Sequence, residues 1–399
     1  MSIDSASDTA THVSMDLGED YPEIRESVRR ICADFPGSYW RELDEREGYP
    51  TEFVKAMTEA GFLAALIPEE YGGAGLPLRA AGVVLEEIHA SGGNASATHA
   101  QMYTMGTVLR HGSAAQKQKY LPKIASGELR LQAFGVTEPT TGTDTTKLKT
   151  RAVRDGDEYV VNGQKIWTSR ALYSDLMLLL ARTTPLEEVK KRTDGLSVFL
   201  VDMRVAVGKG MTIRPIKAMI NHNTTEVFFD NLRIPADSLV GEEGRGLKCI
   251  LDGMNAERIL VSHESLGDAK WFVKTAVKYA NDRVVFDRPI GKNQGVQFPI
   301  AKAYAQTQAA ELMLRKAAAM FQAGQPCGEF ANLSKLLTAE AAWEAGEACM
   351  QTHGGFAYAR EYDVERKWRE ARVQRTAPIS TNLILSYVAE HVLGLPRSY

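Results

Sequence analysis

Glu257 and Arg258 stand side by side near the start of a stretch, Leu251 to Arg283, in which Met254, Ile259, Leu260, Val261, Leu266, Trp271, Val273 and Val277 recur at roughly helical spacing without a proline. A carboxylate beside a guanidinium can act as a general base next to an anion anchor. It can equally be surface decoration: on a helix turning about 100° per residue, Glu264 and Asp268 fall within ~20° of Glu257, which reads as one acidic, solvated face. Periodicity alone favours the solvated face, so the chemistry needs support from the rest of the chain; Glu264, two turns and ~10 Å from Glu257, reads either as solvated or as lining the same pocket.

The elements that must position this pair follow from length and texture. At 399 residues the chain is long enough for two or three domains, and 44% apolar, 24% charged residues and 33 glycines are those of a soluble globular protein. The net charge of −3 comes without a basic stripe, which argues against a nucleic-acid surface. Cys32, Cys249, Cys327 and Cys349 are scattered, which reads as buried thiols in a reducing compartment. His353 lies four residues from Cys349, too few ligands for a metal site. No apolar run reaches the ~18 residues of a membrane helix. Residues 1–20, rich in Ser, Thr and Asp, have neither the apolar core of a signal peptide nor basic amphipathic character, and are expected to be a disordered tail on a cytoplasmic protein.

From residue 21 to 131 the pattern is helical. Ile24, Val28, Ile31 and Cys32 mark one amphipathic helix, and Phe53, Met57 and Ala60 a second that stops at Gly61. Pro68 to Gly75 is a glycine-rich loop between helices, Arg79 to Ala90 is helical with Glu86 and Glu87 on a solvated face, and Ser113 to Ser126 is a helix interrupted at Pro122. Residues 132–240 read as a compact β domain: Tyr159 to Thr168 alternates around Asn162-Gly163, a hairpin signal, and Leu176 to Ala181, Leu196 to Val201, Met211 to Pro215 and Thr225 to Phe229 are further short β-rich runs. The loop Gly241 to Gly246 resembles a dinucleotide fingerprint only superficially, because strand, helix and ribose-binding acid are missing around it. Residues 241–399 are helical again, over Phe298 to Phe321, Leu333 to Met350 and Thr381 to Leu393.

Val136-Thr137-Glu138-Pro139, then Gly142-Thr143-Asp144, then Asn162-Gly163-Gln164-Lys165-Ile166-Trp167-Thr168-Ser169 form an ensemble whose spacing resembles the acyl-CoA dehydrogenases, flavoenzymes that place a double bond between Cα and Cβ of an acyl thioester. The resemblance implies an α+β fold with an N-terminal helical domain, a central β domain (a small barrel or sandwich) and a C-terminal four-helix bundle. It implies FAD, with Phe134, Val136, Thr137, Gly142 and Thr143 along the cofactor, Trp167 and Ser169 covering its hydride-accepting side, and Thr143 also near CoA. Arg283, Phe286 and Gln294, together with Gln351, Gly354 and Gly355, resemble the segments that family members offer to the cofactor of a neighbouring subunit, so a homotetramer is implied. Electrons are expected to pass to an electron-transferring flavoprotein.

The base is where the chain departs from the commonest family pattern. Many members carry it in a Tyr-Glu-Gly-Thr-Ser stretch before the last helix, and here Ala377-Pro378 stand in that place, in a run about one residue shorter. A minority of the family, acting on isovaleryl or long-chain thioesters, put the glutamate just before the arginine of the long helix, which Glu257-Arg258 matches. The resemblance therefore makes Glu257 the base, with Asn255 and Arg258 on the acyl-CoA and the Ala377 N–H polarising the thioester carbonyl. Thr140-Thr141 and Arg170-Ala171 replace the usual small Gly-Ala and Asn-Gly, and bulkier groups there alter access to the flavin. An acyl-CoA oxidase, a flavin monooxygenase on the same fold and a catalytically silent FAD- and CoA-binding protein remain as alternatives.

Overall fold

A computed structural model describes residues 18–398. Six helices come first: α1 (Pro22–Ala33), α2 (Gly37–Glu45), α3 (Thr51–Glu59), α4 (Leu78–Ala90), α5 (Ser96–His111) and α6 (Ala114–Ser126). The helix predicted to stop at Gly61 does so, with that glycine in the left-handed region at φ 79°. The predicted break at Pro122 is absent, since α6 runs through it. Of the expected tail, residues 1–17 lie outside the described residues. Asp20 is held by ion pairs to Arg25 (3.1 Å) and Arg315 (2.7 Å), so the tail ends earlier than the composition implies.

Eight strands follow: β1 (Leu131–Gly135), β2 (Arg151–Asp155), β3 (Glu158–Ser169), β4 (Leu176–Arg182), β5 (Leu196–Asp202), β6 (Met211–Pro215), β7 (Thr224–Pro235) and β8 (Leu239–Val240), with a four-residue helical turn, α7 (Met203–Ala206), between β5 and β6. They make one sheet in the order β6-β7-β3-β2-β4-β5-β8, with β1 parallel to β4. Along β4, Leu176, Leu178 and Leu180 face the helices, while Met177, Leu179 and Ala181 join the inner core with Tyr159 and Phe199. Burial on both faces explains why this strand reads as an unbroken apolar run.

The hairpin expected at Asn162-Gly163 is not there. β3 passes straight through the pair, and the turn lies at Gly156 (φ 62°), between β2 and β3. Asn162-Gly163 marks a register shift against β7, and a Cβ on Gly163 would collide with Thr150. The glycine serves a bulge and a close backbone approach rather than a turn.

The last region holds α8 (Gly246–Leu251), α9 (Met254–Asp282), a two-stranded ribbon of β9 (Val284–Val285) and β10 (Arg288–Pro289), α10 (Gln294–Gln322), α11 (Gly328–His353), α12 (Val364–Val373) and α13 (Thr381–Tyr387). The helices α9, α10 and α11 pack on one another, and α4 of the N-terminal region packs along α9. Small residues allow that approach: a Cβ on Gly82 would strike His263, and one on Gly267 would strike the Glu86 carbonyl. The four cysteines are free and buried, and no described helix is long and apolar enough to cross a membrane.

Two expectations of solvated faces fail at this crossing. Glu86 and Glu87 are buried, Glu86 within 2.9 Å of Arg25 and His263 and 2.8 Å of Lys270, and Glu87 within 2.7 Å of Arg25 and Arg29. On α9, Glu257, Glu264 and Asp268 are all buried. Asp268 is taken up by His89 at 2.8 Å and by Lys367. Charged residues at helical spacing are read as solvent-facing unless their partners are seen, and these partners come from distant segments.

Candidate active site

Glu257 sits in the first turn of α9, 7% exposed. Among the described residues its carboxylate has no hydrogen-bond partner, and burial raises its pKa against the pull of His99 and Arg258. Arg258 donates from Nη1 to Asn255 Oδ1 at 2.8 Å, while its buried Nε is without a partner. Thus Asn255 and Arg258, both expected on the substrate, are coupled to each other beside the carboxylate.

Helix α5 faces this carboxylate with two residues that the sequence reading did not single out, His99 and Tyr103. Their rings lie 5.2 Å apart, and Tyr103 packs edge-on against Phe134 of β1 at 5.5 Å. Burial raises the pKa of the Tyr103 hydroxyl, and the charge of Glu257 adds to this. The i, i+4 spacing of an imidazole and a phenol on one helix is the signal that marks them.

Two turns beyond Glu257 stands Glu264. Its carboxylate is 2.9 Å from His99 Nδ1 and accepts from Gln374 Nε2 at 3.2 Å. Burial opposes ionisation, but these partners overcome it and bring its pKa down to about 2. The two carboxylates on one face of α9 are thereby differentiated: Glu264 is a fixed anion, whereas Glu257 is poised to take a proton.

Gln374 belongs to the segment that carries the base in many relatives. Lys335 of α11, buried, donates from Nζ to the carbonyls of Gln374 and of Ile379 (2.7 Å) and so ties that segment down. Ala377 lies within it, exposed, joined to Pro378 by a cis peptide. Its N–H already donates to the Val373 carbonyl at 2.9 Å. The expected use of that N–H on a thioester carbonyl is not supported, because an intrachain acceptor has taken it.

The residues expected along the cofactor fall into two groups. Phe134, Val136, Thr137, Trp167 and Ser169 come together where β1 ends beside β3. The Thr137 carbonyl accepts from the Ile166 N–H at 2.9 Å, and Lys165 Nζ donates to the Val136 carbonyl at 3.0 Å and to Glu138 at 2.8 Å. Burial brings Lys165 down to about 8, and Glu138, also receiving the N–H groups of Lys149 and Thr150, is held below its usual range. The two charged residues of the motif are therefore each other's partner and fix the loop. Glu138 and Thr141 also exchange backbone hydrogen bonds, of 3.1 and 3.0 Å, leaving Gly142 and Thr143 exposed. Trp167 is 58% exposed at φ 60°, a conformation that a bulky residue adopts only under constraint.

The second group is a separate surface. Arg283, Phe286 (93% exposed), Gln294, Gln351, Gly354 and Gly355 are all exposed. The guanidinium of Arg283 lies 5.6 Å from the ring centre of Phe356, which joins the two expected segments. Nothing within 4 Å would meet a Cβ on Gly354 or Gly355.

Sequence profiles described as the N-terminal, middle and C-terminal domains of acyl-CoA dehydrogenase match residues 18–128, 133–232 and 244–393. Acyl-CoA dehydrogenase FadE12 of Mycobacterium tuberculosis is 33% identical over 98% of this chain and 100% of its own. Glutaryl-coenzyme A dehydrogenase, solved in complex with glutaryl-CoA, is similar with a TM-score of 0.88 at 30% identity, over 96% of this chain and 98% of its own. PigA, solved with FAD and proline, has a TM-score of 0.88 at 25% identity, over 96% of this chain and 100% of its own. Matches that extend from residue 18 to residue 393, through all three layers of the architecture, make the chain a member of the acyl-CoA dehydrogenase family of flavoprotein oxidoreductases.

Proposed function

We propose that this chain dehydrogenates a fatty or branched acyl-CoA to the trans-2-enoyl-CoA, with Glu257 taking the α-proton. One observation carries the reading: Glu257 is a buried carboxylate with a raised pKa and no hydrogen-bond partner, at the position where a minority of the family place the base. Bound FAD supplies the acceptor for the β-hydride. As that hydride departs, the electrons of the Cα–H bond form the Cα–Cβ double bond and the proton goes to a Glu257 oxygen, so charge balances in one step. Arg258, its Nε still free, offers a cation to the polar groups of the thioester.

The residues present fit FAD. An exposed Trp167, held with Ser169 at the edge of β3, offers a flat apolar cover, and Phe134, Val136, Thr137, Gly142 and Thr143 line the approach. We assign Arg283, Phe286, Gln294, Gln351, Gly354 and Gly355 to the cofactor of a neighbouring subunit in a homotetramer, a reading supported by their exposure and open glycines. The domain division is residues 21–131, 132–240 and 241–399. Electron-transferring flavoprotein is the expected oxidant, and the buried free cysteines support a reducing compartment such as the cytoplasm.

Anaerobic mixing of the flavin-loaded protein with a panel of saturated acyl-CoA esters tests this reading. Bleaching of the flavin band by at least one ester is expected, and a protein that no ester bleaches overturns it. Repeating turnover in air and with a flavoprotein acceptor separates oxidase from dehydrogenase.

A further inference from the structure

Lys335 of α11 is a buried cation that takes no direct part in the proposed reaction. It is 1% exposed, and among the described residues no carboxylate stands at ion-pair distance from it. Its Nζ meets only the backbone carbonyls of Gln374 and of Ile379, the latter at 2.7 Å. These carbonyls are the two feet of one arch between α12 and α13. Thr381 closes the arch by donating its N–H to the Arg375 carbonyl at 3.2 Å, and the crest, made of Thr376, Ala377 and Pro378, is exposed.

The same anchor reaches the helix that carries the base. The Gln374 side chain donates from Nε2 to Glu264 at 3.2 Å, so one foot of the arch is hooked onto α9. Ser334, the neighbour of Lys335, lies 3.3 Å from the Ser262 hydroxyl, which donates to the Arg258 carbonyl at 2.7 Å. Two adjacent residues of α11 thus reach both ends of residues 258–264, one through Ser262 and the other through the arch.

We propose that Lys335 is a positioning residue for the dehydrogenation: by holding both feet of the arch it fixes the arch against the face of α9 that carries Glu257 and Glu264, so that an acyl thioester lies in one place relative to the base. The inference rests on the dehydrogenase reading of the Glu257 site.

A lysine kept for stability alone would be a poor choice at this position. Taking an ammonium out of water is costly, and two carbonyl dipoles offset only part of that cost. Burial, with the charge of Arg258 adding to it, brings the pKa of Lys335 down to about 8 against the pull of Glu340. An apolar side chain of similar length would remove this cost but would leave both carbonyls without a donor. They could then regain one only from water, which requires the feet of the arch to open. The lysine therefore gives up stability for a fixed loop. Chemistry is sensitive to such a loss, since a displacement of about 1 Å at the reacting atoms can slow a step ~100-fold.

The test compares holoenzyme of the parent, Lys335→Met and Lys335→Arg. Lys335→Met is expected to melt within a few degrees of the parent and to keep its flavin. Amide exchange across residues 374–381 should nevertheless quicken at least ~10-fold, and flavin bleaching by a saturating ester should slow ~10- to 100-fold. Lys335→Arg, which keeps the charge and two donors, should recover part of that rate. The inference is overturned if Lys335→Met bleaches at the parental rate, or if Lys335→Arg is no faster than Lys335→Met. A Lys335→Met that fails to fold, or melts far below the parent, overturns it too, because the lysine then serves the fold. Unchanged bleaching in Lys335→Met sinks only the positioning role, whereas a parent that no ester bleaches sinks the dehydrogenase reading itself.

Discussion

Glu257 and Glu264 lie two turns apart on the same face of α9, and only one has its charge satisfied: Glu264 is 2.9 Å from His99, while Glu257 has no hydrogen-bond partner among the described residues. Identical side chains on one helix face thus have opposite ionisation behaviour, one lowered and one raised. Packing rather than residue type assigns the roles.

The first consequence is a pH profile. A base must be ionised, and the pKa of Glu257 is raised, so kcat/KM is expected to fall on the acid side through a value above the usual carboxylate range. Arg258 lowers that pKa by its charge. Arg258→Met removes the effect and should move the acid limb to higher pH, besides weakening substrate binding. A limb that stays in place, measured in steady-state assays across pH, contradicts the coupling.

Acid stability should report on Glu264. Its folded pKa, about 2, lies below the ordinary 4.5, so it contributes stability above pH 4.5 that is lost as pH falls towards 2. At 1.36 kcal/mol per pKa unit this share is on the order of 3 kcal/mol. Denaturant midpoints at pH 5 and pH 3 should converge in Glu264→Gln relative to the parent. Equal slopes in the two proteins rule out the ion pair.

The pair of Lys165 and Glu138 predicts a loss of stability with a local signature. Lys165→Met strands a buried carboxylate, which costs about 3–5 kcal/mol. Because the pair fixes Val136 and Thr137, flavin content should drop before global unfolding is seen. The double change Lys165→Met with Glu138→Leu should recover much of the stability but not the flavin. Thermal melts followed by flavin fluorescence and by circular dichroism check both.

Assembly gives a fourth expectation. If Arg283 serves a neighbouring subunit's cofactor, Arg283→Ala lowers flavin content without disturbing the catalytic chamber. Flavin per protomer, measured against protein concentration, should then fall on dilution together with the assembled mass. Flavin retained by a monomer contradicts the shared site.

The order of helices, sheet and helices was legible from period and turn chemistry, whereas the choice of Glu257 over Ala377 came from the family resemblance. Burial was not legible. Glu86 and Glu87 read as solvated, and Glu264 was left between solvent and the pocket, because their partners Arg25, Arg29, His263 and His99 sit on other helices, far away in sequence. Asn162-Gly163 has the composition of a turn and serves a bulge, because Thr150 closes in on Gly163. The engagement of the Ala377 N–H by Val373 depends on how the chain leaves α12, which no local pattern encodes.

The central claim is that Glu257 is the proton acceptor, and Glu257→Gln tests it most directly, because it keeps the shape and removes the base. Stopped-flow mixing of the flavin-loaded variant with the best saturated ester should show full flavin content, ester binding, and bleaching slowed by at least ~10³-fold. Bleaching at the parental rate would contradict the account.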